Sequence, residues 1–223
     1  MCKEGVPLNE RHVLVVFPHP DDEAFGVSGT IAEHAQNGTP VTYACLTLGE
    51  MGRNMGVPPF ANRETLPHIR KQELEEACRI LGIHDLRLLG YRDKTVEFED
   101  EEELADRSPP SWQKRIHRLS LRFTPATAST RHDACGAAVI RALKRWPKEE
   151  RPTVHCVAFA KNCEQDLGQP DVVRDVSSVI DTKLAAIRAH RSQTEGLMQA
   201  ASKRGDALAW LKTERFWTYR WDD

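Results

Sequence analysis

No apolar run in this chain of 223 residues approaches the roughly 20 that a helix needs to cross a bilayer, so a helical membrane protein is not expected. Charge of one sign is also missing: 31 lysines and arginines face 33 aspartates and glutamates, a formal charge of -2, and no basic footprint for nucleic acid results. The first ten residues, Met1 to Glu10, are polar and carry no apolar signal core, which makes the cytoplasm the expected location. Cysteines are few and scattered: Cys2, Cys45, Cys78, Cys135, Cys156 and Cys163 show no metal-type spacing. Several lie inside apolar runs and read as reduced, buried thiols rather than a disulfide scaffold. The glycine-rich stretch Gly49 to Gly56 has neither the G-x-G-x-x-G nor the G-x-x-x-x-G-K-[ST] spacing, which argues against a cradle for nucleotide phosphates. There is no internal repeat, and the length suits one domain with a sizeable core.

What is present is an alternation of strand-like and helix-like segments. Val13 to Phe17 is continuously apolar, as a strand buried on both faces should be. Thr30 to Gln36 is helical in pattern, and Val41 to Leu48 is a second strand. Leu66, Ile69, Leu74, Ala77, Cys78 and Leu81 follow helical spacing, with Thr65 as the expected N-cap, Pro67 in the first turn and Gly82 closing the helix. Leu86 to Gly90 reads as a short third strand, and the acidic run Glu97 to Asp106 as a solvated helix start. Asp133 is placed to cap a helix with Val139, Ile140, Leu143 and Trp146 on its apolar side. Thr153 to Phe159 is another strand, Val172 and Val173 begin a shorter one, and Asp181 to His190 is a further helix. This order predicts an α/β fold, a Rossmann-like and mostly parallel sheet flanked by helices in a single domain spanning 1–223. Trp210, Phe216, Trp217, Tyr219 and Trp221 form an aromatic tail. It covers either the chain's own core or a second copy in a homo-oligomer.

The first strand runs into Pro18-His-Pro-Asp-Asp-Glu23, one imidazole and three carboxylates at a site where open α/β sheets collect ligands. His19 and Asp22 are close enough along a tight turn to ligate one ion, and an imidazole with a carboxylate suits zinc. Asp21 is then free to act as a general base. The bland alternative is that these carboxylates only cap the following helix.

The longer string resembles the LmbE-like (PIG-L) family of zinc-dependent N-deacetylases, and within it the bacillithiol-biosynthesis deacetylases, which act on N-acetylglucosaminyl malate. The resemblance extends to Leu48–Arg53, Arg70 to Glu73, Leu81-Gly82, His132-Asp133 and His190 to Gln193. It implies one zinc ion per chain, held by His19, Asp22 and His132, with Asp21 activating water and Arg53 contacting the substrate. On that resemblance Asp21 would take a proton from water, the hydroxide would add to the amide carbonyl, and the proton would pass to the departing amine without a covalent intermediate, zinc supplying the Lewis acid. The implied substrate is a small amino-sugar conjugate; another acylated amine or sugar is the enzymatic alternative. For Arg53 an exposed loop cation is a competing reading, and His190 reads as a structural helix residue.

One segment departs from the family. Where the family has His-Pro-Asp-His, this chain has Ser129-Thr-Arg-His132, and 108–131 carries adjacent prolines and basic residues with no sustained apolar period. We expect this stretch to derive from a shifted reading frame. Arg122 to Thr127 can be coded CGT-TTT-ACC-CCG-GCT-ACA, whose shifted frame reads Phe-Tyr-Pro-Gly-Tyr. The codons AGC-ACC-CGG for Ser129 to Arg131 restore His-Pro in the same way. If the written segment is real, weak or absent activity is expected. The chain is then a metal- or sugar-binding protein impaired in catalysis.

Overall fold

The computed structural model describes residues 10–100, 102–103, 118–122, 130–159, 163–203 and 208–221, with backbone alone over 118–122 and 130–133. Seven strands form one sheet: β1 (Val13–Phe17), β2 (Val41–Cys45), β3 (Asp85–Leu88), β4 (Arg118–Arg122), β5 (Thr153–Val157), β6 (Val172–Asp175) and β7 (Thr213–Thr218). Their spatial order is β3-β2-β1-β4-β5-β7-β6. The first five are parallel, and β7 runs antiparallel between β5 and β6. The helices among the described residues are α1 (Asp22–Gly26), α2 (Ser28–Gln36), α3 (Leu66–Leu81), α4 (Thr130–Lys144), α5 (Cys163–Leu167), α6 (Ile180–Ala189) and α7 (Arg191–Ser202).

β1 explains the two-layered core. All five of its residues are buried, and alternate ones point to opposite faces of the sheet. Val13, Val15 and Phe17 pack with Ile31, Leu74, Cys78, Leu81 and Ile187, which come from α2, α3 and α6. Leu14 and Val16 pack with Ala138, Val139 and Leu143 of α4. Each fully buried side chain of this size contributes about 1.5–3 kcal/mol, so both helical layers are held through this one strand. The order of strands reverses between β2 and β4 on either side of β1, and the crevice at that switch is where a ligand is expected.

Several boundaries differ from the sequence expectation for local reasons. α3 has the expected bounds and Gly82 closes it at φ 75°, but Thr65 makes no side-chain cap. Asn62 performs that task, its Oδ1 accepting the N–H groups of Glu64 and Thr65 at 2.9 Å. α4 starts at Thr130, so Asp133 lies within the first turn and is not the cap. In the aromatic tail, Phe216 and Trp217 are buried in the chain's own core, while Trp210 is exposed and stacks on Phe25.

The largest difference is β4. A segment with no apolar run nonetheless lies mid-sheet, pairing Arg118–Leu121 with Val13–Val16 and Arg118–Arg122 with Thr153–Val157. Neighbouring strands supply the backbone partners that its own sequence pattern does not advertise.

Candidate functional site

The turn that leaves β1 is built by its neighbours. Tyr43 on β2 donates its hydroxyl to the His19 carbonyl at 3.1 Å, and the Thr47 hydroxyl donates to the Pro18 carbonyl at 2.8 Å. The His19 amide donates to Asp22 Oδ2 at 3.1 Å, while His19 Nδ1 stands 3.4 Å from the same oxygen. At the start of α1 the N-cap residue Asp21 makes no side-chain cap bond, while Asp22 and Glu23 lie in the first turn, where carboxylates suit a helix start. On the other side of the ring, His19 Nε2 is 3.3 Å from Asp93 Oδ1. Asp93 also accepts the Met51 N–H at 3.1 Å, and its own N–H donates to Glu50 Oε1 at 2.8 Å. Burial alone would lower the basicity of His19, but the Asp22 and Asp93 carboxylates outweigh it and lift the pKa to about 9.

Asp21 adopts φ 93° and ψ −23°, a left-handed conformation uncommon outside glycine. Its carboxylate keeps 22% exposure and lies 3.2 Å from Arg70 Nη2. Burial lifts its pKa to about 6 against the pull of Arg70, close to what a general base at neutral pH requires. Arg70, buried on α3, donates to the carbonyls of Gly49 (2.8 Å) and Pro20. Gly49 suits this contact twice over, since its φ is 61° and a Cβ there would lie 2.0 Å from Arg70 Nη1.

Behind the turn, Glu23 and His190 are both fully buried and meet at 2.6 Å, Oε1 to Nε2. Burial works against the His190 cation, yet the Glu23 carboxylate raises its pKa above the ordinary value. Glu73 on α3 accepts both the amide and the hydroxyl of Ser192 at 2.7 Å, seating the start of α7. Gln193 and Asn54 exchange side-chain-to-carbonyl bonds at 3.0 Å, which ties the 49–57 loop to that helix. Between loop and helix lies a cleft of about 500 Å³. Arg53, Asn54, Met55 and Val57 line one side, Gln193 and Leu197 the other.

Of the residues singled out in the sequence, His19, Asp21 and Asp22 thus share one turn, and Arg53 is exposed on the cleft wall. His132 has its backbone in the first turn of α4, and its side chain lies outside the described residues. Among the described residues no group of three metal donors is assembled. The imidazole and carboxylate that are described match the donor chemistry of a zinc site. The five described cysteines are free and buried, as expected; Cys2 lies outside the described residues. Asp93 and the Glu23–His190 contact were not legible, because their partners are 74 and 167 residues distant.

A family model described as PIG-L, GlcNAc-PI de-N-acetylase, matches residues 14–143. The chain is 55% identical over 219 residues to a Bacillus cereus protein named probable N-acetyl-alpha-D-glucosaminyl L-malate deacetylase 2, covering 96% of this chain and all of that protein. A Bacillus subtilis protein of the same name is 52% identical over 220 residues, with the same coverage. In three dimensions the chain is similar to N,N'-diacetylchitobiose deacetylase from Pyrococcus horikoshii. There the TM-score is 0.71 at 23% identity, over 95% of this chain and 84% of that one, which is a likeness of fold.

Proposed function

The chain belongs to the PIG-L family of deacetylases, and from that premise we propose that it removes the N-acetyl group of N-acetylglucosaminyl malate, a step of bacillithiol biosynthesis in the cytoplasm. The observation that carries this reading is the turn after β1. It holds a part-exposed carboxylate, Asp21, beside an imidazole–carboxylate pair at the switch of the sheet. The relatives named above supply the substrate.

The described pair, His19 and Asp22, would hold one zinc ion per chain, with His132, whose side chain lies outside the described residues, as the third ligand. Bound zinc supplies a Lewis acid that polarises the acetyl carbonyl and makes water easier to deprotonate. Asp21 takes a proton from the attacking water and returns it to the departing amine. Asp93, 3.3 Å from His19 Nε2, orients the ring that would hold the ion. Arg70 holds Asp21 in place through its carboxylate and the Pro20 carbonyl. Arg53, on the cleft, offers a guanidinium suited to the malate carboxylates.

The test is acetate release from N-acetylglucosaminyl malate and from free N-acetylglucosamine by wild-type protein and Asp21→Asn. Wild type releasing acetate from the conjugate in preference, with Asp21→Asn slower by about 10² or more, supports the reading. No release from either substrate contradicts it. Ser129, standing where the family has histidine, favours a second reading as an impaired binding protein. That reading requires zinc binding without acetate release.

A further inference from the structure

The left-handed backbone of Asp21 is costly for a residue with a side chain, of order 1–3 kcal/mol, and persists only where neighbours hold it. On the crevice side the hold is Arg70. On the buried side it is Glu23, whose Oε2 accepts the Asp21 amide N–H at 3.1 Å. Its other oxygen meets His190 Nε2 at 2.6 Å, with no exposure on either side chain. His190 is itself fixed at the junction of α6 and α7. Its amide donates to the Ile187 carbonyl at 3.2 Å, and its own carbonyl accepts the N–H groups of Gln193 and Thr194 at 2.9 Å and the Thr194 hydroxyl at 3.0 Å. A rigid helix junction thus ends on one carboxylate, and that carboxylate ends on the peptide of Asp21.

We propose that His190 is the positioning residue of Asp21: through Glu23 it fixes the Asp21 peptide and with it the direction in which the Asp21 carboxylate points. Charge works the same way. Glu23 stands in a turn that already holds Asp21 and Asp22, and the buried imidazole of His190 is the group that faces it. Without that partner Glu23 is a buried anion free to seek other donors, and the Asp21 amide loses its acceptor. His190 therefore has two parts: its backbone serves the helix junction, and its ring serves the turn through Glu23.

The inference rests on Asp21 being the base. Its test uses the full-length, zinc-loaded protein and four variants: Asp21→Asn, His190→Ala, His190→Gln and the double Asp21→Asn/His190→Ala. For each, kcat, KM, bound zinc and Tm are measured. Since misplacing a reacting group by about 1 Å can cost 10²-fold, His190→Ala should lose tenfold or more in kcat, while KM stays within about threefold and zinc is retained. His190→Gln, whose carboxamide can still donate to Glu23, should recover most of the loss. In the Asp21→Asn background, removing His190 should cost nothing further, because both changes act on one group.

A wild-type kcat in His190→Ala, with only Tm lowered, overturns the proposal, as does an equal loss of kcat in both backgrounds. Wild-type turnover by Asp21→Asn overturns the base assignment instead, so the two failures are distinct. If His190→Ala does not fold, Glu23→Asp carries the test. It keeps the charge and shortens the reach, and it should lower kcat in the Asp21 background alone; unchanged kcat there refutes the proposal.

Discussion

Lys183→Met should destabilise the fold far more than a conventional substitution on α6. Lys183 and Glu214 are each 1% exposed and meet at 2.5 Å. Glu214, on β7, accepts the Gly29 amide at 2.8 Å, the Thr30 amide at 2.9 Å and the Thr30 hydroxyl at 2.6 Å, so it also closes the start of α2. Lys183 donates in addition to the Phe25 carbonyl at the end of α1. Methionine fills the same volume, leaving a buried carboxylate whose cation is gone. Breaking a buried pair from one side costs about 3–5 kcal/mol. In a domain of this size each kcal/mol lowers Tm by about 2–4 °C, so a fall of about 6–20 °C is expected in a calorimetric scan. Lys183→Met/Glu214→Gln removes the stranded charge while keeping an acceptor for the α2 amides, and it should recover part of that fall. A Tm within about 2 °C of wild type for Lys183→Met would refute the reasoning, because it would mean the carboxylate finds compensation elsewhere.

Other outcomes follow from the same structure. In the folded protein Cys45, Cys78 and Cys156 should resist thiol alkylation at pH 8, read by mass mapping of the labelled peptides: burial pushes Cys156 up to about 12 and Cys45 and Cys78 well above their ordinary value. For Cys156 the thiolate fraction is then about one in ten thousand, and prompt labelling without denaturant would contradict this. Gly49→Ala places a Cβ 2.0 Å from Arg70 Nη1 and should lower kcat by about tenfold or more through the displaced Asp21 partner, while unchanged kcat would show that Arg70 is dispensable. A version with the shifted frame restored over 108–131 should gain about 10²–10³ in turnover if the missing His is an oxyanion donor. Equal activity of the two versions would refute the expected loss of turnover, and a protein mass confirming an unbroken natural frame would refute the frame reading.

Much of the architecture is legible in the order of residues. β1 is an unbroken apolar run, α3 carries its stop signal in Gly82, and together with β2 and β5 they dictate a parallel sheet with the His19–Asp22 turn at the carboxyl end of β1. β4 was hidden because Arg118, Ser120 and Arg122 interrupt its leucines, and its strand conformation comes from the two neighbours that pair with it. α7 was hidden for a related reason. Only Ser192, Thr194 and Ala201 are buried along it, so it has no apolar stripe, and Glu73 seats its first turn from a remote helix. The site divides in the same way. His19, Asp21 and Asp22 are contiguous and announce their chemistry. Arg70, Asp93 and the Glu23–His190 contact become neighbours only once α3, the loop after β3 and the α6–α7 junction are assembled around the turn.

The central claim is a zinc-dependent amide hydrolysis at the turn after β1. Its most direct test measures bound zinc per chain and acetate released from N-acetylglucosaminyl malate on one preparation, before chelator, after chelator and after zinc is returned. The account predicts one zinc per chain, release that stops with chelation, and release restored by zinc. Acetate released at an undiminished rate from metal-free protein would contradict it.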